Sequence, residues 1–166
     1  SKSLGNMIPV RKMAKTYGAD AVRFTILSGG ESMDDPNWDS ELAKTMQYKL
    51  EQLFIFAKEN YNKGRSNKEA IDEWMESKIN LVIREINSAM EDTLFRTALQ
   101  KIFFELPRNL KWYLKRCNNN PNQKLINKYI ESQLIMLTPF TPHICEETWQ
   151  ALGKENFISL AEWPKV

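Results

Sequence analysis

The sequence predicts a mainly α protein built as an antiparallel helical bundle. Three observations carry this. Apolar residues recur every three or four positions over most of the chain, Gly and Pro punctuate those runs, and strands do not alternate with helices as a nucleotide-binding sheet requires. With 166 residues and 42% hydrophobic content the chain can bury a core. No apolar run approaches the roughly 18 residues of a membrane span, and the start lacks the charged and apolar regions of a secretion signal. Cys117 and Cys145 make no metal-ligand spacing with the single histidine, so reduced thiols in a cytoplasmic protein, with no membrane partner, are expected.

The elements follow in order. PVRKMAKTYG reads as a short helix, with Pro9 early and Gly18 just past its end. ADAVRFTILSGG reads as a second, with Ala19, Val22 and Ile26 on its apolar stripe and Gly29 and Gly30 ending it. ESMDDPNWD is turn-rich and divides the chain into a small segment, 1–36, and a bundle, 37–166. After Trp38, the positions Leu42, Met46, Leu50, Leu53 or Phe54, and Ala57 predict a long amphipathic helix ending near Gly64. The next starts near Lys68, with Ile71, Trp74 or Met75, Ile79, Val82 or Ile83, Ile86 and Met90 on its buried stripe. A third long stripe runs from Phe95 through Ala98 or Leu99, Ile102 or Phe103, Leu106, Leu110 and Tyr113 to Cys117, with Pro107 inside it as a kink or a split. CNNNPNQ breaks the chain before a helix through Leu125, Ile126, Tyr129, Ile130, Leu134 and Leu137. Thr141 as N-cap, Pro142 in the first turn and Gly153 at the end frame a last short helix. The tail ISLAEWP reads as an extended piece lying on the bundle.

Charge is unevenly distributed. Between Glu105 and Glu131 there is no acidic residue, while Arg108, Lys111, Lys115, Arg116, Lys124 and Lys128 supply +6 of a net +2, leaving −4 for the rest. Arg11, Lys12 and Lys15 form a second cluster. Such asymmetry suits a polyanion-facing surface. In PRNLKWYLKR the spacing puts Arg108, Lys111, Trp112 and Lys115 on one helical face and Leu110, Tyr113 and Cys117 on the other. The cations would meet phosphates and Trp112 would stack on a base or lie over a sugar; the other reading makes Trp112 core and the cations ordinary surface.

A self-contained active site is not evident. His143, the only histidine, reads as structural at a helix start. The neighbours Asp34 and Asp35, like Glu146 and Glu147, point in different directions and form no acid/base pair. There is no phosphate-cradling Gly-rich loop and no nucleophile elbow. The opening SKSLGN is a donor-rich stretch suited to an anion, and equally to a frayed end.

Taken together, these pieces resemble one family. SKSLGN resembles the latter part of the KMSKS loop of class I aminoacyl-tRNA synthetases. GADAVRF (18–24) is similar to the segment that follows that loop in the subgroup activating leucine, isoleucine and valine. Asp72 to Trp74, the run PFTPHICEETW (139–149) and the closing SLAEWP resemble marks of that subgroup's helical tRNA-binding domain. SGGESMDDPNWD and FFELPRNLKWYLKR look most like archaeal-type leucyl enzymes, with isoleucyl and valyl members and a non-catalytic interaction module as the alternatives.

The resemblance implies a bundle of the anticodon-binding type preceded by a stem-contact-like segment. It also implies a parent enzyme whose nucleotide-binding fold and editing domain precede Ser1. The parent would join leucine to tRNA(Leu) in translation with ATP and Mg2+, the isolated chain being inactive and holding no cofactor. Lys2 would meet the negative charge that grows on pyrophosphate, with Ser1 and Ser3 as hydroxyl donors. Docking of tRNA would fall to Arg108, Lys111, Trp112, Lys115, Arg116, Lys124 and Lys128, with Arg11, Lys12 and Lys15 near the inner stem.

Overall fold

The computed structural model describes residues 8–31 and 37–166. Ser1, Lys2 and Ser3 lie outside the described residues. Those described form helices joined by short turns, with one isolated backbone bridge and no strand.

α1 (Val10–Tyr17) and α2 (Ala19–Gly29) meet at Gly18, whose φ of +85° is open to glycine and strained for other residues. α2 turns Ala21, Val22, Phe24 and Thr25 inward. Ile26, expected on that stripe, is 48% exposed; two positions beyond Phe24, it points to the opposite side of the helix.

α3 (Ser40–Asn60) starts with the Asp39 carboxylate accepting the Leu42 N–H at 2.9 Å, and buries Ala43, Met46, Leu50 and Ala57. α4 (Ala70–Glu91) starts with a reciprocal capping box between Glu69 and Asp72, and buries Met75, Ile79, Val82, Ile83, Ile86 and Ala89.

The next rod combines α5 (Phe95–Gln100), a π-helical turn (Lys101–Glu105) and α6 (Leu106–Arg116). The expected kink or split at Pro107 is instead absorbed as one wide turn. The Leu106 N–H bonds the carbonyl of Lys101, one residue further back than in an α-helix. Pro107 has no N–H to offer, so in this wide register the Ile102 carbonyl, five residues before it, loses its donor. Gln133 of α7 (Gln123–Leu137) supplies one, its Nε2 donating to Ile102 O at 3.1 Å.

α8 (Pro142–Ala151) follows α7 across a tight turn. Thr141, expected to cap it, makes no such bond: its hydroxyl donates to Leu137 O at 3.4 Å, and the cap comes from elsewhere in the chain. The tail forms a single 3₁₀ turn (Ile158–Leu160) with extended residues after it, anchored where Trp163 Nε1 donates to Asn87 Oδ1 at 2.7 Å.

One continuous core runs through all of this. Phe24 of α2 meets Phe103 of the π turn at a ring separation of 5.0 Å, so the first helices share the bundle's interior. Phe56 of α3 meets Tyr129 of α7 edge-on at 6.3 Å. Burying such rings and the Ile, Leu and Met side chains around them is the main source of stability.

Candidate nucleic-acid interface

α6 carries the surface that the charge pattern points to. Leu110, Tyr113 and Cys117 are buried, while Arg108, Lys111, Trp112 and Lys115 are exposed. No ion pair engages Arg108, Lys111 or Lys115 among the described residues. Trp112 is not core: it is 39% exposed and lies on the ring of Trp74 from α4, centroids 4.2 Å apart. The Arg116 guanidinium sits over Trp112 at 4.7 Å and the Lys78 ammonium over Trp74 at 5.8 Å. Two indoles flanked by two cations make an aromatic and positive surface, suited to bases and phosphates.

The other expected contacts divide. Lys124 is exposed and shares a cleft with Lys68, Asp72, Glu76 and Lys128. Lys128 is partly committed within the fold, donating to Asn80 Oδ1 at 2.9 Å and lying 3.5 Å from Glu76. Arg11, Lys12 and Lys15 are exposed on α1, which buries none of its residues and rests on α2 and α3. α6 rests on α4 and the π turn instead, so the two clusters are carried by different neighbours.

A buried polar cluster, which sequence reasoning missed, holds α6 in place. Arg65 donates to both Asp72 oxygens at 2.8 and 2.6 Å, and Tyr113 of α6 donates to Asp72 Oδ1 at 2.6 Å. The Tyr113 hydroxyl in turn accepts the Asn122 N–H at 2.9 Å. Burial pushes the Asp72 carboxyl up, but the bonds from Arg65, Tyr113 and the Glu69 N–H outweigh it and hold it below the ordinary carboxylate range. Burial and the neighbouring Asp72 carboxylate push the Tyr113 phenol upward, keeping it a donor. The parallel Arg65–Asn122 bridge closes the cluster from the loop side: the Arg65 N–H donates to the Pro121 carbonyl and the Gln123 N–H to the Arg65 carbonyl, each with an N···O distance of 2.9 Å. Asp72 opens α4 two residues before Trp74, so the same network sets the ring against which Trp112 lies.

A second cluster joins the start of the chain to its end. The Asp20 carboxylate accepts the Ile144 N–H at 2.6 Å and pairs with His143 Nδ1 at 2.8 Å, capping α8 in place of Thr141. Arg23 donates to the Phe140 and Pro139 carbonyls at 3.0 and 2.8 Å. His143 is thus structural, as its position at a helix start suggested. Glu31 caps α5 in the same manner, accepting the Thr97 N–H and hydroxyl at 2.9 Å each. Among the described residues no group of three or more His, Cys, Asp or Glu is placed to hold a metal, and no helix is long and apolar enough to cross a membrane.

Over 99% of its length the chain is 38% identical to the leucine–tRNA ligase of Aeropyrum pernix, and over 100% it is 36% identical to that of Methanocaldococcus jannaschii. It spans 18% of the length of each of these relatives. Its fold superposes, with a TM-score of 0.83 and 22% identity, on a LeuRS of Agrobacterium radiobacter crystallised in a ternary complex with tRNA and LeuAMS, covering 99% of this chain and 21% of that one. Residues 72–166, from the buried Asp72 to the end, match the family described as the anticodon-binding domain of tRNA ligase. The chain belongs to that family of anticodon-binding domains.

Proposed function

We propose that the chain is the tRNA-docking part of a leucine–tRNA ligase working in the cytoplasm, and that its parent joins leucine to tRNA(Leu) at the expense of ATP. The observation that carries this reading is the α6 face: Arg108, Lys111 and Lys115, exposed and without carboxylate partners among the described residues, beside the Trp74–Trp112 pair. Similarity to leucine–tRNA ligases over nearly the whole chain supports the amino acid. In this reading residues 37–166 dock tRNA and residues 1–36 join them to the part of the parent that binds ATP and leucine. Lys2, with the hydroxyls of Ser1 and Ser3, meets the ATP phosphates, which Mg2+ also neutralises.

The test is tRNA(Leu) binding as a function of salt. Lys111→Ala with Lys115→Ala weakens binding and lowers the slope of log K against log salt by about 1 for each phosphate that the variant no longer neutralises. An unchanged slope overturns the assignment of this face. Failure to retain tRNA at moderate ionic strength would favour a protein-interaction module. In the parent ligase, Lys2→Ala lowers leucine activation on the order of 10²- to 10³-fold, and isoleucine or valine as the preferred substrate overturns the specificity.

A further inference from the structure

We infer that the trough between α3 and the rod of α5, the π turn and α6 is a docking site for an amphipathic helix of a partner protein, apolar on its inserted face and acidic along its flanks. The inference goes beyond the tRNA-docking reading and does not rest on it, since the trough shares only Lys111 with the face assigned to tRNA.

α3 packs mainly on α2 and α8, and the rod mainly on α4, so the two stand side by side without closing on each other. The gap between them has a volume of about 280 Å³. Leu53 and Phe56 form one wall, Phe103, Pro107 and Leu110 the other, and Tyr129 of α7 the floor. Gln133, also on the floor, already donates to the Ile102 carbonyl at 3.1 Å, so an occupant is held chiefly by apolar contact. At one end Lys49 Nζ reaches across from α3 to lie 4.4 Å from the centre of the Phe104 ring; at the other, Phe56 meets Tyr129 edge-on.

Length, apolar lips and charge together specify the occupant. Lys49 to Phe56 and Phe103 to Leu110 are each a step of seven residues, two helical turns or about 10 Å. A docked helix presents anchors at i, i+3 or i+4 and i+7 over the same length. Tyr48 and Ile55 flank Gln52 at helical spacing on the outer edge of α3 and are 60% and 39% exposed, and Phe104 across from them is 42% exposed. A small molecule inside the trough would leave these three side chains in water, whereas a helix lying along it covers them. Lys49 and Lys111, the latter one turn beyond Pro107 on the opposite lip, have no carboxylate partner among the described residues. Glu59 lies a turn past Phe56, beyond the lining of the trough, and Glu105 is paired with Lys101 at 3.5 Å. The lips are therefore positive, which complements acidic flanks.

The experiment measures binding of the 166-residue chain to a labelled, lactam-bridged peptide of about fourteen residues, with leucines at i, i+3, i+4 and i+7 and glutamates on both flanks. Replacing its leucines by alanine, or its glutamates by lysine, weakens binding about tenfold or more. On the protein, Leu53→Ala weakens it about five- to tenfold, and Lys49→Glu with Gln52→Glu does the same. That pair lies on the lip and keeps the test available should Leu53→Ala lower the melting temperature. Lys115→Ala, away from the trough, leaves the affinity unchanged. Equal binding of the glutamate and lysine peptides, no loss from the trough variants, or a loss from Lys115→Ala as large as theirs overturns the inference. So does a Leu53→Ala effect on single-stranded RNA and not on the peptide, or a dimer of the chain that Leu53→Ala dissociates. If the parent ligase fails to bind a peptide that the 166-residue chain binds, another part of the parent fills the trough and the partner-protein assignment falls. Salt-dependent tRNA binding tests the docking reading separately, and no result with the peptide decides it.

Discussion

Asp20 and Ile144 are far apart in the chain and joined by one short bond: the carboxylate accepts the Ile144 N–H at 2.6 Å, at the first turn of α8. The same carboxylate holds His143 Nδ1 at 2.8 Å, and three residues on, Arg23 ties down the preceding turn. Two stretches singled out in the sequence, GADAVRF and PFTPHICEETW, are two halves of one contact.

Asp20→Ala therefore uncaps α8 and leaves Arg23 alone to hold the turn. We expect a loss of about 1–2 kcal/mol, read as a lower urea midpoint with an unchanged slope. Asp20→Asn, which keeps an acceptor oxygen, loses less. Equal losses for the two variants would show that charge, and not acceptance, matters at this site.

Gly64 predicts a sharper effect. Its φ is +119°, and an added Cβ would stand 2.2 Å from the Pro121 carbonyl oxygen, on the bridge that closes the Asp72 cluster. Gly64→Ala costs about 1–3 kcal/mol from backbone strain alone, and more if the bridge opens. Gly153→Ala, also at positive φ but with nothing within 4 Å of its Cβ, is the milder control. Thermal melts of the two variants measure the difference.

The Asp72 cluster makes stability depend on acid. The folded chain holds the Asp72 carboxyl below its ordinary value, so the unfolded chain binds the proton more readily. Stability from this group is complete above about pH 4, the ordinary carboxylate value, and is lost as the pH falls through the lower folded value. Tyr113→Phe removes one of the bonds that lower it, so its stability falls less steeply in acid. The variant is also less stable at pH 7, by about 1–3 kcal/mol, because the buried Asn122 N–H loses its acceptor. Urea titrations from pH 7 to pH 3 test both statements.

Cys145 is fully buried, and burial pushes its thiol up to about 12. At neutral pH it is almost wholly protonated, so a thiolate-specific reagent labels it only when α8 opens. Labelling rates should track global unfolding across urea concentrations; fast labelling in native buffer would show that α8 detaches by itself.

The helices were legible in the sequence because their signals are local. The stripe from Leu125 to Leu137 is buried as its spacing predicts, and the exposed face of PRNLKWYLKR is the face read from its periodicity. What was not legible depends on partners far along the chain. Thr141 obeys every local rule for an N-cap, yet Asp20 takes the role, because only the fold brings that carboxylate to α8. Trp112 was poised between core and surface. Trp74, from another helix, gives it a third condition, supported on one side and open on the other. Asp72 and Trp74 carried the family resemblance, but nothing in their spacing pointed to Arg65 or Tyr113.

The π turn sets the phase of a rod. One extra residue between Lys101 and Glu105 rotates all that follows by about 100° relative to a regular helix. Tyr113 reaches Asp72, and Lys111 faces outward, only at this setting. Deleting a single residue there would turn the inner and outer faces of α6 together, so the core and the binding surface cannot be tuned independently: one offset in the backbone indexes both.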